Sequence, residues 1–243
     1  MLYGVFADVH ANVEALRTVL DFFAASGAEG YLCCGDLVGY GPDPNACLER
    51  VRELPNLRLV CGNHDLAAIG RIDPHWFNPP ARSAVLWTGR TLSPASREFL
   101  ETLSARLDAE DFTLVHGTPR RPVDEYLLGP AQFKDALSEV RNWPLFFGHS
   151  HMPLSFSLTA GGRIESLFLD DRQAVSGTAL SAYNPGAVGQ PRDNDHRACC
   201  ALWDSREKTF RVFRLDYDVA ATQAKIRRSG LPEYLARRLS FGQ

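Results

Sequence analysis

No stretch of the 243-residue sequence approaches the roughly 18 uninterrupted apolar residues that a membrane-spanning helix needs. Excess basic charge is also missing. Lys and Arg number 26 against 29 Asp and Glu, a net charge of −3, so there is no cationic footprint for a general nucleic-acid binder, although a local cationic site stays open. The six cysteines include no Cys-x-x-Cys pair. Cys33-Cys34 and Cys199-Cys200 are adjacent residues in apolar strand patterns, where neighbouring side chains face opposite ways and cannot share a zinc ion. Structural core thiols are expected. Internal repeats, low-complexity segments and linkers are absent too, which makes one domain over 1–243 the economical count. A basic n-region and cleavage site are not seen before the first strand pattern, Met1 to Phe6, so the expectation is no signal peptide and a cytoplasmic protein. With 45% hydrophobic and 23% charged residues, disordered and collagen-like classes are excluded and a substantial α/β core is allowed.

What is present is a run of polar clusters, each just after an apolar stretch. Residues 2 to 7 read as a strand that delivers Asp8-Val9-His10. Val13, Leu16, Leu20 and Phe23 then recur at helical spacing, with Asn12 as N-cap and Gly27 as stop. Tyr31 to Cys34 delivers Gly35-Asp36, and Asp43-Pro44 has the chemistry of another helix start. Leu57 to Val60 leads to the turn Gly62-Asn63-His64-Asp65, read as a loop beyond a buried strand. Asp8 and Asp36 are 28 positions apart and Asp36 and Asn63 are 27, close to the ~30 residues of a β-α-β repeat. Right-handed crossovers bring the carboxyl ends of successive parallel strands to one side, so these clusters meet in space. Further on, Phe112 to Val115 delivers His116-Gly117, and Leu145 to Phe147 delivers Gly148-His149-Ser150-His151. Beyond residue 153 the pattern turns to antiparallel strands, with a hairpin about Ala160-Gly161-Gly162. Two basic helices, Val219 to Arg228 and Pro232 to Leu239, are expected at the surface as solvated faces.

Taken alone, an Asn-His-Asp turn is ordinary Asx-turn chemistry. Five of the seven histidines, however, fall in these strand-end loops together with Asp8, Asp36 and Asn63. Carboxylate, imidazole and amide oxygen suit borderline or hard divalent ions, and the absence of cysteine ligands excludes a soft thiolate site. There are too many donors for one ion. Seven fit two metals sharing a carboxylate, about 3.5–4 Å apart, the arrangement that serves in-line displacement at phosphorus.

In this order the blocks Asp8-Val9-His10, Gly35-Asp36, Gly62-Asn63-His64-Asp65, His116-Gly117 and Gly148-His149-Ser150-His151 resemble the five motifs of the calcineurin-like metallophosphoesterases. Asn184 to Pro191 also resembles a late segment of the small bacterial and archaeal phosphodiesterase branch. The resemblance implies a four-layer α/β/β/α sandwich of two mixed β-sheets flanked by helices. It assigns Asp8, His10 and His151 to one metal, Asn63, His116 and His149 to a second, and Asp36 to the bridge. Two divalent ions are implied, manganese first, with iron, cobalt, nickel or zinc as alternatives. His64 is left free to protonate or hydrogen-bond the leaving oxygen while a metal-bridging hydroxide attacks in line. Asp65 either orients that imidazole or caps the following helix. Arg120 and Arg192 are each a phosphate clamp or a surface arginine.

The implied activity is hydrolysis of a small phosphodiester or phosphomonoester. A dinucleoside polyphosphate is the nearest rival substrate, and a metal-binding scaffold without turnover is the alternative of another class. Protein phosphatases of the eukaryotic type usually carry Arg four residues after the bridging Asp and Glu after the Asn-His pair. Tyr40 and Asp65 stand there instead, which argues against a phosphoprotein substrate. Segments 66–95 and 118–135 are expected to cover the site and set selectivity.

Overall fold

A computed structural model describes residues 1–177 and 179–243. Two six-stranded sheets form its centre. The first runs in the order β3 (Leu57–Leu59), β2 (Gly30–Cys33), β1 (Leu2–Phe6), β11 (Ala198–Asp204), β12 (Thr209–Leu215) and β9 (Ala174–Ser176). β1, β2 and β3 are parallel and the rest of that sheet is antiparallel. The second sheet runs β4 (Arg106–Asp108), β5 (Thr113–Val115), β6 (Leu145–Phe146), β10 (Ser181–Pro185), β7 (Pro153–Leu158) and β8 (Ile164–Phe168). Here β5, β6 and β10 are parallel neighbours.

Strand alternation sorts the core into layers. Val5 and Ala7 point into the space between the sheets, where they meet Leu114, Phe146, Tyr183 and Phe210. Phe6 points the other way, onto Leu16, Val19 and Phe23 of α1 (Val13–Ala25) and Leu48 of α2 (Pro44–Arg52). The adjacent cysteines divide in the same manner, Cys34 and Cys199 between the sheets and Cys33 and Cys200 beneath the helices. All six thiols are free and buried. On the outer face of the second sheet, Phe133 and Ala136 of α6 (Pro130–Glu139) pack on Phe147 and Phe156. The result is two mixed sheets flanked by helices, as the sequence implied.

α1 begins as read, with Asn12 Oδ1 accepting from the Ala15 N–H at 3.2 Å and Gly27 in the left-handed region at φ 73°. α2 keeps Pro44 in its first turn, but Asp43 does not cap it; its carboxylate is drawn instead to Lys225 Nζ at 2.9 Å. The 62–65 turn is not a loop. Asn63, His64 and Asp65 form the first turn of α3 (Asn63–Ala68), with Gly62 as the extended residue before it. Two three-residue edge strands, β4 and β9, carry too little alternation to be read from sequence.

The last two helices correct another expectation. α7 (Val219–Arg228) and α8 (Glu233–Arg238) do not merely coat the surface: Ile226, Leu231, Leu235 and Ala236 are buried against Tyr40, Ala81 and Ala84. That places α8 beside α4 (Pro79–Thr91) and over the loops that follow β1 and β2. α5 (Pro94–Glu101) completes the helices, its Ser93 Oγ accepting from the Ser96 N–H. Among the described residues no helix is long and apolar enough to cross a membrane.

Candidate metal centre

The loops that converge are those at the carboxyl ends of β1, β2, β5 and β6, together with the start of α3. Their backbone is unusual. Asp8, His10, Asp36, His149 and His151 all adopt positive φ, between 47° and 67°. A left-handed non-glycine residue costs on the order of 1–3 kcal/mol and persists only where its surroundings dictate it. Here the loops hold one another: the N–H groups of Asp8, His10 and Ala11 donate to the carbonyls of Gly35, Asp36 and Leu37 at 2.9–3.0 Å. The end of β10 and the segment after it brace both sheets. Gly189 N–H donates to Asp8 O at 2.9 Å, and Asn184 Nδ2 donates to Gly148 O at 2.7 Å. Gly62 must be glycine, because a Cβ there would lie 2.0 Å from Asp36 Oδ1 and 2.7 Å from Asp36 N.

Three groups of donors could each hold a cation: Asp8, His10 and His151; His10, Asp36 and His64; and Asp36, His116 and His149. His10 Nε2 is 3.1 Å from His151 Nε2, and His116 Nε2 is 3.1 Å from His149 Nδ1 and 3.2 Å from Asn63 Oδ1. Asp36 Oδ2 stands between the two halves, 3.6 Å from His10 Nε2 and 3.3 Å from His116 Nε2. The other carboxylate oxygen, Oδ1, accepts from the His64 N–H at 2.9 Å, which fixes the plane of the carboxylate.

Backbone carbonyls set the tautomers. The Nδ1 of His10, His116 and His151 donates to Val38 O, Cys34 O and Gln190 O at 3.0, 2.8 and 2.5 Å. Each ring therefore turns Nε2 toward the centre, the second contact typical of a ligating histidine. Both oxygens of Asp8 and Oδ2 of Asp36 are buried without a hydrogen-bond partner. Buried carboxylate oxygens and converging imidazole nitrogens left in this state are costly, and divalent cations satisfy them all. The residues fit the group that the chemistry calls for.

Charge at the site follows burial and mutual contact. Burial pushes Asp8 up to about 8. Burial would also raise Asp36, yet His116, His64 and His10 together hold it below the usual carboxylate range. His116 moves in the opposite sense to most buried imidazoles: burial lowers it, but Asp36 lifts it to about 9. His10 and His151 are driven well down by burial, and His149, by burial and then His116, to about 3. Burial lowers His64 to about 4, leaving a neutral ring near pH 7.

His64 is clamped by aromatic rings. Tyr40 lies 4.4 Å away between ring centroids, Phe77 4.7 Å and His10 4.9 Å. Its Nδ1 is buried without a partner. Asp65 does not reach this imidazole. Oδ2 accepts from the Gly62 N–H and Oδ1 from the Val38 N–H, both at 3.0 Å, so the carboxylate ties the start of α3 to the loop after β2. Of the two readings left open for Asp65, the contacts match the cap. Asp65→Ala is expected to lower stability by about 2–4 kcal/mol, because two buried donors lose their acceptor. Denaturant unfolding measures it; a stability unchanged from wild type would remove the bracing role.

A cavity of about 970 Å³ opens from the donors, and Asp36, Asn63, His64, His149 and His151 form its floor. Trp76, Phe77 and Asn78 from segment 66–95 and Arg121, Asp124 and Tyr126 from segment 118–135 form its walls. Tyr126 stacks on His149, 3.9 Å between centroids and 14° between planes. Arg192 lines the cavity, its Nη2 within 3.2 Å of the Tyr40 hydroxyl and 3.3 Å of Gln190 Oε1. Arg120 lies outside the lining. Glu125 and Asp135 take its guanidinium, and the neighbouring Arg121 faces the cavity in its place. Sequence reasoning named the segment that carries Tyr126 but missed Tyr234 and Arg238 of the lining, since neither follows a parallel strand or sits in a motif.

The geometry can be set beside known proteins. Over its whole length the chain is 33% identical to an uncharacterised protein of Methanocaldococcus jannaschii, covering 98% of that relative. A solved metallophosphoesterase from Sphaerobacter thermophilus superposes with a TM-score of 0.90 at 37% identity, covering 100% of this chain and 99% of the other. A hypothetical protein of Pyrococcus horikoshii shares the fold at a TM-score of 0.81 and 22% identity, covering 100% of this chain and 98% of its own. The model of the calcineurin-like phosphoesterase superfamily domain matches residues 1–208, a span that takes in every convergent loop described above. By sequence and by fold, the chain belongs to the calcineurin-like phosphoesterase superfamily.

Proposed function

We propose that the chain is a divalent-metal-dependent phosphoesterase that hydrolyses a small phosphodiester, in a reducing cytoplasmic compartment that suits six free thiols. The observation that carries this reading is the set of unsatisfied carboxylate oxygens and inward-turned imidazoles at the floor of an open cavity. Asp8, His10 and His151 would hold one cation, Asn63, His116 and His149 the other, and Asp36 would reach both. Bound there, two cations supply a water of lowered pKa and positive charge for the phosphoryl oxygens. Manganese is the ion expected first, with iron, cobalt, nickel and zinc held by the same donors.

The chain's own side chains bind and orient. Arg192 can donate to a phosphoryl oxygen from a guanidinium already steered by Tyr40 and Gln190. His64 presents its ring to the cavity, where the N–H of the neutral imidazole hydrogen-bonds the departing oxygen. Tyr40 and Phe77 restrict that ring to one orientation, which favours a hydrogen bond along a fixed line. Tyr126 and Trp76 give apolar walls for the organic part of the ester.

The test is nitrophenolate release from bis(p-nitrophenyl) phosphate and from p-nitrophenyl phosphate, on chelated protein reloaded with manganese, nickel or zinc. The chelated form is expected to lose more than about 10²-fold in rate and manganese to restore it, with the diester turned over faster. Faster monoester turnover makes the protein a phosphatase. No turnover of either ester with any metal leaves the scaffold reading standing.

A further inference from the structure

The family match ends at residue 208, but the cavity does not end with the matched residues. Tyr234 and Arg238 of α8 complete its wall. Their position is set by a packed unit rather than by a loose tail. Leu231, Leu235, Ala236 and Leu239 are buried with Tyr40 and Ala81. Gln223 Nε2 donates to Ala236 O at 2.9 Å, and Thr222 Oγ1 to Asn12 Oδ1 at 3.0 Å, in the loop that follows β1.

What this unit brings to the cavity is a positive charge without a side-chain carboxylate. The Arg238 guanidinium lies 5.8 Å from the centroid of the Tyr40 ring and 5.3 Å from that of Tyr234. Arg192 lies 5.8 Å from the same Tyr40 ring. Arg121, Arg214 and Arg227 each pair with a carboxylate. Among the described residues neither Arg192 nor Arg238 has a side-chain carboxylate partner: Arg192 has Tyr40 and Gln190, with its buried Nε unpartnered, and Arg238 Nε donates to a main-chain oxygen of Gln243. The two acidic side chains on the cavity wall are engaged elsewhere, Asp124 with Arg121 and Asp73 with the His75 N–H. Burial and the charge of Arg192 both disfavour the protonated Arg238. Two like charges sharing one ring are stabilised by an anion between or beside them.

The two arginines are not equivalent. Arg192 lines the cavity together with Asp36, His149 and His151, and its backbone N–H donates to the His151 carbonyl at 3.4 Å, so it serves the phosphoryl group under attack. Arg238 is carried instead by α8, its guanidinium beside Tyr40 and Tyr234, and among the described residues it makes no hydrogen bond or ion pair with the donors. The remaining space is generous for one aryl phosphate, and Trp76, 88% exposed at the rim, Phe77 and Tyr126 offer faces on which a planar base stacks.

We infer that Arg238, set beside Arg192 by α8, receives a second phosphate of a nucleotide substrate, distinct from the phosphoester that is cleaved. The inference rests on the phosphoesterase reading and narrows its substrate class to nucleotide diesters with at least one further phosphate. Arg238 is then a specificity residue supplied from outside the matched superfamily segment.

Two substrates with one leaving group test it: the p-nitrophenyl ester of thymidine 5′-monophosphate and the same ester carrying an added 3′-phosphate. Wild-type protein is expected to favour the 3′-phosphorylated ester by about 10-fold or more in kcat/KM, through KM, the range of a charge-assisted contact. R238Q brings that ratio within about two-fold of unity and R238K keeps part of it, both judged on proteins whose thermal midpoint matches wild type. Equal kcat/KM for the two esters in wild type, or a preference that survives R238Q, overturns the inference. If neither ester reacts with any metal, the phosphoesterase reading has failed and the subsite is read by binding instead. Tryptophan fluorescence of chelated protein is titrated with thymidine 3′,5′-bisphosphate and with thymidine 5′-monophosphate. Tighter bisphosphate binding that R238Q abolishes supports the anion subsite; equal affinity for the two ligands, or no effect of R238Q, removes it.

Discussion

Replacing Asp36 by Asn is expected to cost more than about 10²-fold in turnover and to empty at least one of two metal positions. Loss of an outer partner of a ligand typically costs about 10–100-fold, and in the proposed function Asp36 would be a direct donor to both halves of the site. The substitution is informative because it separates charge from shape. An asparagine keeps an oxygen for the His64 N–H, now at 2.9 Å from Oδ1, so the start of α3 retains its acceptor. What changes is Oδ2, the atom that lies 3.6 Å from His10 Nε2 and 3.3 Å from His116 Nε2 with no hydrogen-bond partner. An amide nitrogen at that position cannot donate electrons to a cation and carries no charge to offset one. Elemental analysis of dialysed protein reads the occupancy and diester hydrolysis reads the rate. Two metal ions per chain with wild-type turnover in the variant would sink the bridging role.

His64→Ala is expected to slow hydrolysis of an alkyl or nucleoside diester by about 10²–10⁴-fold and of a nitrophenyl diester by much less. Nitrophenolate departs with little need of a hydrogen-bond donor, whereas an alkoxide leaves far more readily with one. The contrast between leaving groups, rather than the size of either loss, is the signature. His64 is suited to this experiment because its ring is held by packing and not by carboxylates. Tyr40 and Phe77 flank it at 4.4 and 4.7 Å, and removing the imidazole leaves the Asp36 hydrogen bond to the residue 64 backbone in place. Metal content should therefore stay at the wild-type level. An equal loss for both leaving groups would assign His64 to orientation of the phosphoryl group or to the donors, not to the departing oxygen.

These substitutions act at residues that the sequence marked in advance, and the reason is periodicity. β1, β2, β5 and β6, four of the strands in parallel pairings, are short apolar runs that each stop at a polar cluster. Parallel strands joined by right-handed crossovers leave little choice of where those clusters go. Asp8, Asp36 and Asn63 could thus be placed on one edge from a one-dimensional reading, whereas the two-sheet, helix-flanked architecture followed from the resemblance of the motifs to the phosphoesterase family. Local chemistry was legible as far as it stayed local: Asn12 caps α1 through an oxygen three residues from its donor.

Reading failed where a side chain answers to a residue far away. Asp43 stands where a cap belongs, but Lys225, contributed by α7, draws its carboxylate off. Arg120 follows the His116 motif closely, yet Glu125 and Asp135 neutralise it while Arg121 turns inward. Asp65 was as compatible with holding His64 as with capping α3, and the Val38 N–H, 27 residues earlier, distinguishes them. Nothing in the spacing of α8 separates it from a solvated basic helix, because its buried partners, Tyr40 and Ala81, lie more than 150 residues away.

The division has a physical basis. Short-range patterning determined which residues end strands and which polar clusters share an edge of the first sheet, since backbone geometry and crossover handedness act on neighbours in the chain. The tertiary structure alone decided the protonation partners, the tautomers fixed by Val38, Cys34 and Gln190 carbonyls, and the walls of the cavity, since hydrogen bonds and ion pairs are won by whichever group packing brings within reach.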